Sequence, residues 1–164
     1  MERLRWFKQR PDDTYIIVNI PAFKLYFVEK GQRQWNKRVV VGKKERQTPV
    51  FSTQITGMTF NPRWYVPHSI AIKDYLPKLK KGSSNLEEKN IHIYKKTNSR
   101  FQEVEPGSIN WKETTKENFN YYLWQDSGPW NALGNVIFRS PNSYQIYLHD
   151  TPDKHLFKHR VRTY

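Results

Sequence analysis

The sequence predicts a mainly β protein interrupted by one polar insertion, and three observations carry that prediction. Short β-branched and aromatic runs recur before residue 73 and after residue 126, Gly, Pro and Asn residues separate them, and the stretch between is more polar. Tyr15 to Ile20 reads as a strand bounded by Pro21. Phe23, Leu25 and Phe27 then alternate with Lys24 and Tyr26 in a second, which ends at the turn Glu29-Lys30-Gly31-Gln32. Val39-Val40-Val41-Gly42 is the expected hairpin partner, and Val50 to Thr59 carries enough Thr, Ile and Phe for another strand.

The opening third is thus a β-meander. Asn61-Pro62 and Pro67 mark a rigid, aromatic connection through Trp64 and Tyr65, after which Ser69 can cap a short helix over Ile70 to Leu76. Ser84 with Glu87 three residues on has the spacing of a capping box, so a second helix is expected to end at Asn90. The polar insertion runs from about Lys73 to Asp126, and excursions of that length are commonly lids or binding loops. The β pattern resumes at Val136-Ile137-Phe138 and again from Tyr144 to His149.

A chain of 164 residues is the size of one domain and can bury a core without disulfides, which its lack of cysteine requires. The net charge of +13, from 28 Lys and Arg against 15 Asp and Glu, suits an anionic partner such as nucleic acid, a membrane surface or an acidic cell-wall polymer. A solvated basic surface explains the same charge. The basic residues are spread along the chain among 6 Trp, 10 Tyr and 9 Phe, the composition of a folded body rather than a disordered arm. No stretch approaches the ~20 apolar residues of a membrane span, and Met1 to Trp6 lacks the apolar core of a signal peptide.

Phosphate-cradling glycine loops and the usual serine-nucleophile contexts have no match in the sequence. His155 and His159 stand four apart, yet Leu156-Phe157-Lys158 between them supplies no acidic ligand, so two exposed histidines are expected and no metal is assigned. His149 is the better candidate. On a strand from Tyr144, the period of two sends Tyr144, Ile146 and Leu148 to one face and Gln145, Tyr147 and His149 to the more polar other. A strand-end histidine facing a cleft can act as a base near neutral pH, although an ordinary polar histidine fits the same pattern.

Seven segments, in order and spacing, match one family. They are Val18 to Tyr26, Val39 to Lys43, Arg46 to Ser52, Phe60 to Pro67, Asn131 to Gly134, Pro141 to Ser143 and Ile146 to Pro152. Together they resemble the catalytic domain of bacterial L,D-transpeptidases, most closely murein enzymes with a large capping insertion. The resemblance implies a β-sandwich of mixed sheets with short helices over residues 14–164, the insertion at about 73–126 serving as a cap. Residues 1–13 are expected to be a linker to an upstream region. It further implies acyl transfer by a cysteine thiolate that forms 3→3 cross-links between peptidoglycan tetrapeptide stems, in the periplasm or cell wall, with no cofactor.

Within that pattern His149 matches the base, and Asp150 matches the neighbour whose backbone carbonyl orients the ring. Tyr147, Trp64 and the Asn61-Pro62 turn match positions near the substrate, where simple packing explains them equally well. The family's Ser/Thr-His-Gly-Cys element has no counterpart in a sequence without cysteine, so these 164 residues are expected to be inactive by themselves. His68 stands where relatives often carry proline. A non-catalytic peptidoglycan-binding module and a basic nucleic-acid-binding β domain remain as alternatives, the latter without any recognised stacking motif.

Overall fold

Strands form where β-branched and aromatic residues cluster, and turns where residues tolerate positive φ. The computed structural model describes residues 13–82 and 85–164, so the linker expected before residue 13 and the helix cap expected from Ser84 lie outside the described residues. The chain divides into two units, one comprising residues up to Gln54 with 141–146 and 153–164, the other 55–140 with 147–152.

In the first unit β1 (Thr14–Asn19), β2 (Lys24–Glu29) and β3 (Gln32–Arg38) form an antiparallel meander. The β1–β2 turn is held by the Asn19 side chain, which accepts the Ala22 N–H at 3.0 Å, and it passes through Phe23 at φ 53°. Lys30 (φ 49°) and Gly31 (φ 73°) form a two-residue hairpin loop of the kind that matches strand twist. The third strand is therefore the polar segment 32–38, every residue of which is exposed, and not Val39 to Gly42. Turn geometry set the register, and the hydrophobic pattern could not report a strand exposed along its whole length. Val41 instead makes an isolated parallel bridge to Thr163. Buried Arg162 fastens this region, donating to the carbonyls of Phe23 (2.9 Å), Val39 (3.2 Å) and His159 (2.6 Å).

In the second unit β4 (Gly57–Phe60), β9 (Val136–Arg139) and β10 (Leu148–His149) form a sheet in the order β10-β9-β4. A further sheet of β5 (Trp64–Tyr65), β8 (Tyr121–Gln125), β6 (Ile91–Thr97) and β7 (Arg100–Glu103) is antiparallel throughout. The architecture is mainly β with short helices, as the sequence predicts.

The expected strand at Val50 to Thr59 is reduced to residues 57–60. That from Tyr144 is reduced to Leu148–His149, because Gln145 takes φ 55° and Asn142 accepts the N–H groups of Tyr144 and Ile146 in a local turn. Tyr144 is consequently exposed rather than a core residue.

The helix expected over 70–76 is a longer run: His68–Ile70, a π turn at Ala71–Tyr75 and Leu76–Lys80. Pro77 lacks the N–H that would bond to Lys73, and a wide turn just before it accommodates the missing bond. Residues 86–90 form turns rather than a helix, closed by Asn90 at φ 50°.

The segment read as a polar excursion carries most of the second unit's core. Ala71, Leu76, Leu79, Ile91, Ile93 and Leu123 pack together, and alternation in β6 and β8 sends His92, Tyr94, Tyr122 and Trp124 to the other face. There Tyr94 stacks on Trp124 with ring centroids 4.1 Å apart, and His92 sits between two carboxylates. Its Nδ1 meets Glu103 Oε1 at 2.6 Å and its Nε2 meets Asp126 Oδ2 at 3.1 Å, while Arg63 pairs with Asp126 at 3.2 Å. The hydrogen bond to Glu103 raises the His92 pKa against desolvation, and the charges of Glu103 and Asp126 and the hydrogen bond to Asp126 add to the rise.

Leu123 has no accessible surface, so Leu123→Ala is expected to lower unfolding free energy by about 2–5 kcal/mol in urea titrations. Because the His92 pKa is raised above 6.5, its contribution is fully present below that pH and is lost as pH rises through the higher folded value. The urea midpoint of the wild-type chain should therefore fall relative to His92→Gln as pH rises above 6.5, and parallel profiles would contradict this linkage.

Candidate active site

His149 owes its place to a two-residue pairing. β10 joins β9 with Leu148 opposite Phe138 and His149 opposite Ile137, which turns Leu148 inward and leaves His149 exposed at the strand end. The Asp150 N–H continues the ladder to the Val136 carbonyl at 2.9 Å.

His149 Nδ1 lies 2.5 Å from the Asp150 carbonyl oxygen. A carbonyl only accepts, so Nδ1 carries the proton and the neutral ring keeps its lone pair on Nε2. Burial by the surrounding chain lowers the His149 pKa despite the exposed edge of the residue. The Asp150 carbonyl and charge, with a smaller backbone contribution from Leu133, oppose that shift without cancelling it. The ring is thus neutral at physiological pH, with one nitrogen anchored and the other able to take a proton.

Asp150 contributes twice. Its carbonyl meets the imidazole at Nδ1, and its carboxylate Oδ2 accepts the Asn135 N–H at 3.1 Å. The Asn135 carbonyl in turn accepts the Asn61 N–H at 2.9 Å, so the predicted Asn61 turn is joined through Asn135 to the histidine's neighbour. Asn61 itself sits at φ 47°, and its carbonyl accepts the Ser127 hydroxyl at 2.7 Å.

Trp64 lies in β5, partly buried against the apolar core of the second unit, which is a supporting position. Tyr147 precedes the strand and is 36% exposed.

The loop between β8 and β9 is the part that residue-by-residue reading missed. Asn131 is fully buried and uses its whole amide: Nδ2 donates to the carbonyls of Pro62 (3.0 Å) and Asp126 (2.8 Å), and Oδ1 accepts the Leu133 N–H at 2.8 Å. Buried Gln125 braces the same loop, donating to the carbonyls of Lys89 and Trp130 and accepting the Ala132 N–H at 2.9 Å. Gly134 follows at φ 61° against the Asp150 side chain. The signal available in sequence was Asn131-Ala132-Leu133-Gly134, an Asn and a Gly within four residues, which marks a turn without naming its partner.

Among the described residues no group of three His, Cys, Asp or Glu side chains is arranged to hold a metal ion. His155 and His159 pack edge to face, 6.3 Å between centroids.

The sequence that builds this site is similar to known proteins. A protein of Haemophilus influenzae (strain ATCC 51907 / DSM 11121 / KW20 / Rd) named "Putative L,D-transpeptidase" is 37% identical over 147 residues, which is 90% of this chain and 29% of that protein. The chain therefore spans less than a third of the length of this curated relative. The YkuD family, described as the L,D-transpeptidase catalytic domain, matches residues 13–164, and this chain belongs to that family.

Proposed function

We propose that residues 14–164 form the base-bearing part of a peptidoglycan L,D-transpeptidase that makes 3→3 cross-links in the cell envelope, with His149 as general base. The family acts on peptidoglycan. The observation that carries the reading is the bond from His149 Nδ1 to the Asp150 carbonyl, which presents a neutral Nε2 at an exposed strand end. Nε2 takes the proton of a cysteine thiol as sulfur attacks the acyl carbon of a tetrapeptide stem. The imidazolium then returns that proton to the departing D-alanine amine, and the thioester passes to a neighbouring side-chain amine.

The 164 residues contain no cysteine, so the thiolate comes from outside this sequence and the chain alone is read as inactive. The same observation favours a second reading, a module that holds muropeptides without cutting them. In either case Tyr147 and the Asn61-Pro62 turn lie close in sequence or hydrogen bonding to the His149 site, whereas Trp64 packs against the apolar core of the second unit. The basic surface suits the carboxylate-rich stems.

Three outcomes test this. The isolated chain should release no D-alanine from tetrapeptide muropeptides by mass spectrometry. In the complete protein His149→Gln should lower turnover about a hundred- to ten-thousandfold, and a change below about threefold would remove His149 as base. In an NMR titration of the folded chain, the His149 ring should protonate with a midpoint below 6.5, since burial outweighs its carbonyl partners. A midpoint above that value would contradict the neutral base.

A further inference from the structure

The mechanism uses the Asp150 carbonyl and leaves its carboxylate without a role, yet that carboxylate is held on the β8–β9 loop. Oδ2 accepts the Asn135 N–H at 3.1 Å, and the Asp150 N–H reaches the Val136 carbonyl at 2.9 Å, so the last loop residue and the first residue of β9 grip Asp150 from its side chain and its main chain. Gly134 makes the approach possible. A Cβ at this residue would lie 2.5 Å from Asp150 Oδ2 and 2.6 Å from Asp150 Cβ, and its φ of 61° is one that side chains rarely adopt. The loop cannot easily yield, because the fully buried Asn131 amide holds the Leu133 N–H immediately before it.

We infer that the Asp150 carboxylate and Gly134 form a latch that fixes the Asp150 peptide, and so holds its carbonyl on His149 Nδ1 and sets the tautomer of the ring. The carbonyl and the carboxylate share one Cα, so holding the Asp150 side chain on Asn135 and its N–H on Val136 fixes the point from which the carbonyl reaches Nδ1. With the carbonyl in place, the proton of the neutral ring stays on Nδ1 and Nε2 stays free. Released, the ring is free to carry its proton on Nε2, where it cannot act as a base. Asp150 and Gly134 are positioning residues in this scheme.

The latch rests on the reading of His149 as base, but its test needs neither thiol nor substrate. Long-range ¹H–¹⁵N NMR of the imidazole in this chain, at a pH where the ring is neutral, reports the ratio of Nδ1–H to Nε2–H tautomers. Wild type should be predominantly Nδ1–H. Asp150→Ala and Gly134→Ala should each lower that ratio about tenfold, as loss of roughly one hydrogen bond of positional support implies. Asp150→Asn, which keeps an oxygen for the Asn135 N–H, should restore it.

An unchanged ratio in Asp150→Ala, with amide signals of β6 and β8 intact, would overturn the latch. Should the alanine variants fail to fold, acid titration of the wild-type chain decides. Protonation of the Asp150 carboxyl should move the Asn135 amide and the His149 Nδ1–H signals with one midpoint, and an Asn135 amide that moves alone overturns the inference. Full turnover in His149→Gln of the complete protein would remove the base while leaving the tautomer result standing, so the two failures are distinguishable.

Discussion

One buried amide organises the site. Asn131 has no accessible surface, and each side-chain polar atom is paired with backbone of the second unit: Pro62 and Asp126 accept from it, and Leu133 donates to it. Its own N–H and carbonyl close turns with Gly128 and Gly134. A buried amide left unpaired costs about 1–3 kcal/mol per group, so any shift of the loop breaks several bonds whose loss water cannot repair. The rigidity reaches Gly134, Asn135 and Asp150 without any of them touching Asn131's side chain. The position of His149 thus depends on a residue that makes no hydrogen bond to its ring among the described residues.

The apolar face of a strand can be read from sequence only where it is half-buried, and that condition separates what was legible here from what was not. The β1–β2 pair and the β9 run were readable because β-branched and aromatic residues mark them. β3 was invisible, all seven of its residues being exposed, and only the Lys30-Gly31 turn reported it. The insertion misled in the opposite sense. Its Lys, Glu and Asn residues lie in turns and at the solvent face, while a few widely spaced apolar residues, among them Ile91, Ile93 and Leu123, make a shared core that no single segment advertises. His149 and Asp150 were found through the run in which they sit. Asn131, Gln125 and Gly134 act through partners distant in sequence, up to 69 residues away for Asn131 and Pro62, and no local pattern carries that information.

The second unit holds two histidines whose pKa values the fold drives in opposite directions, and the contrast follows from their partners. His92 lies between Glu103 and Asp126, and the carboxylates hold its proton, raising its pKa. His149 has a carboxylate as its immediate neighbour as well, but that carboxylate accepts a loop N–H and a main-chain carbonyl meets the ring instead. A carbonyl fixes orientation and tautomer as well as a carboxylate does, with a partial charge in place of a full one. Burial then prevails and the ring stays neutral. Exchanging the two environments would raise the pKa of the strand-end histidine and favour the form that has no lone pair to offer. With the Asp150 carboxylate bound to Asn135, a carbonyl and not a carboxylate meets Nδ1, and the Asp150 charge opposes the lowering of the ring's pKa without cancelling it.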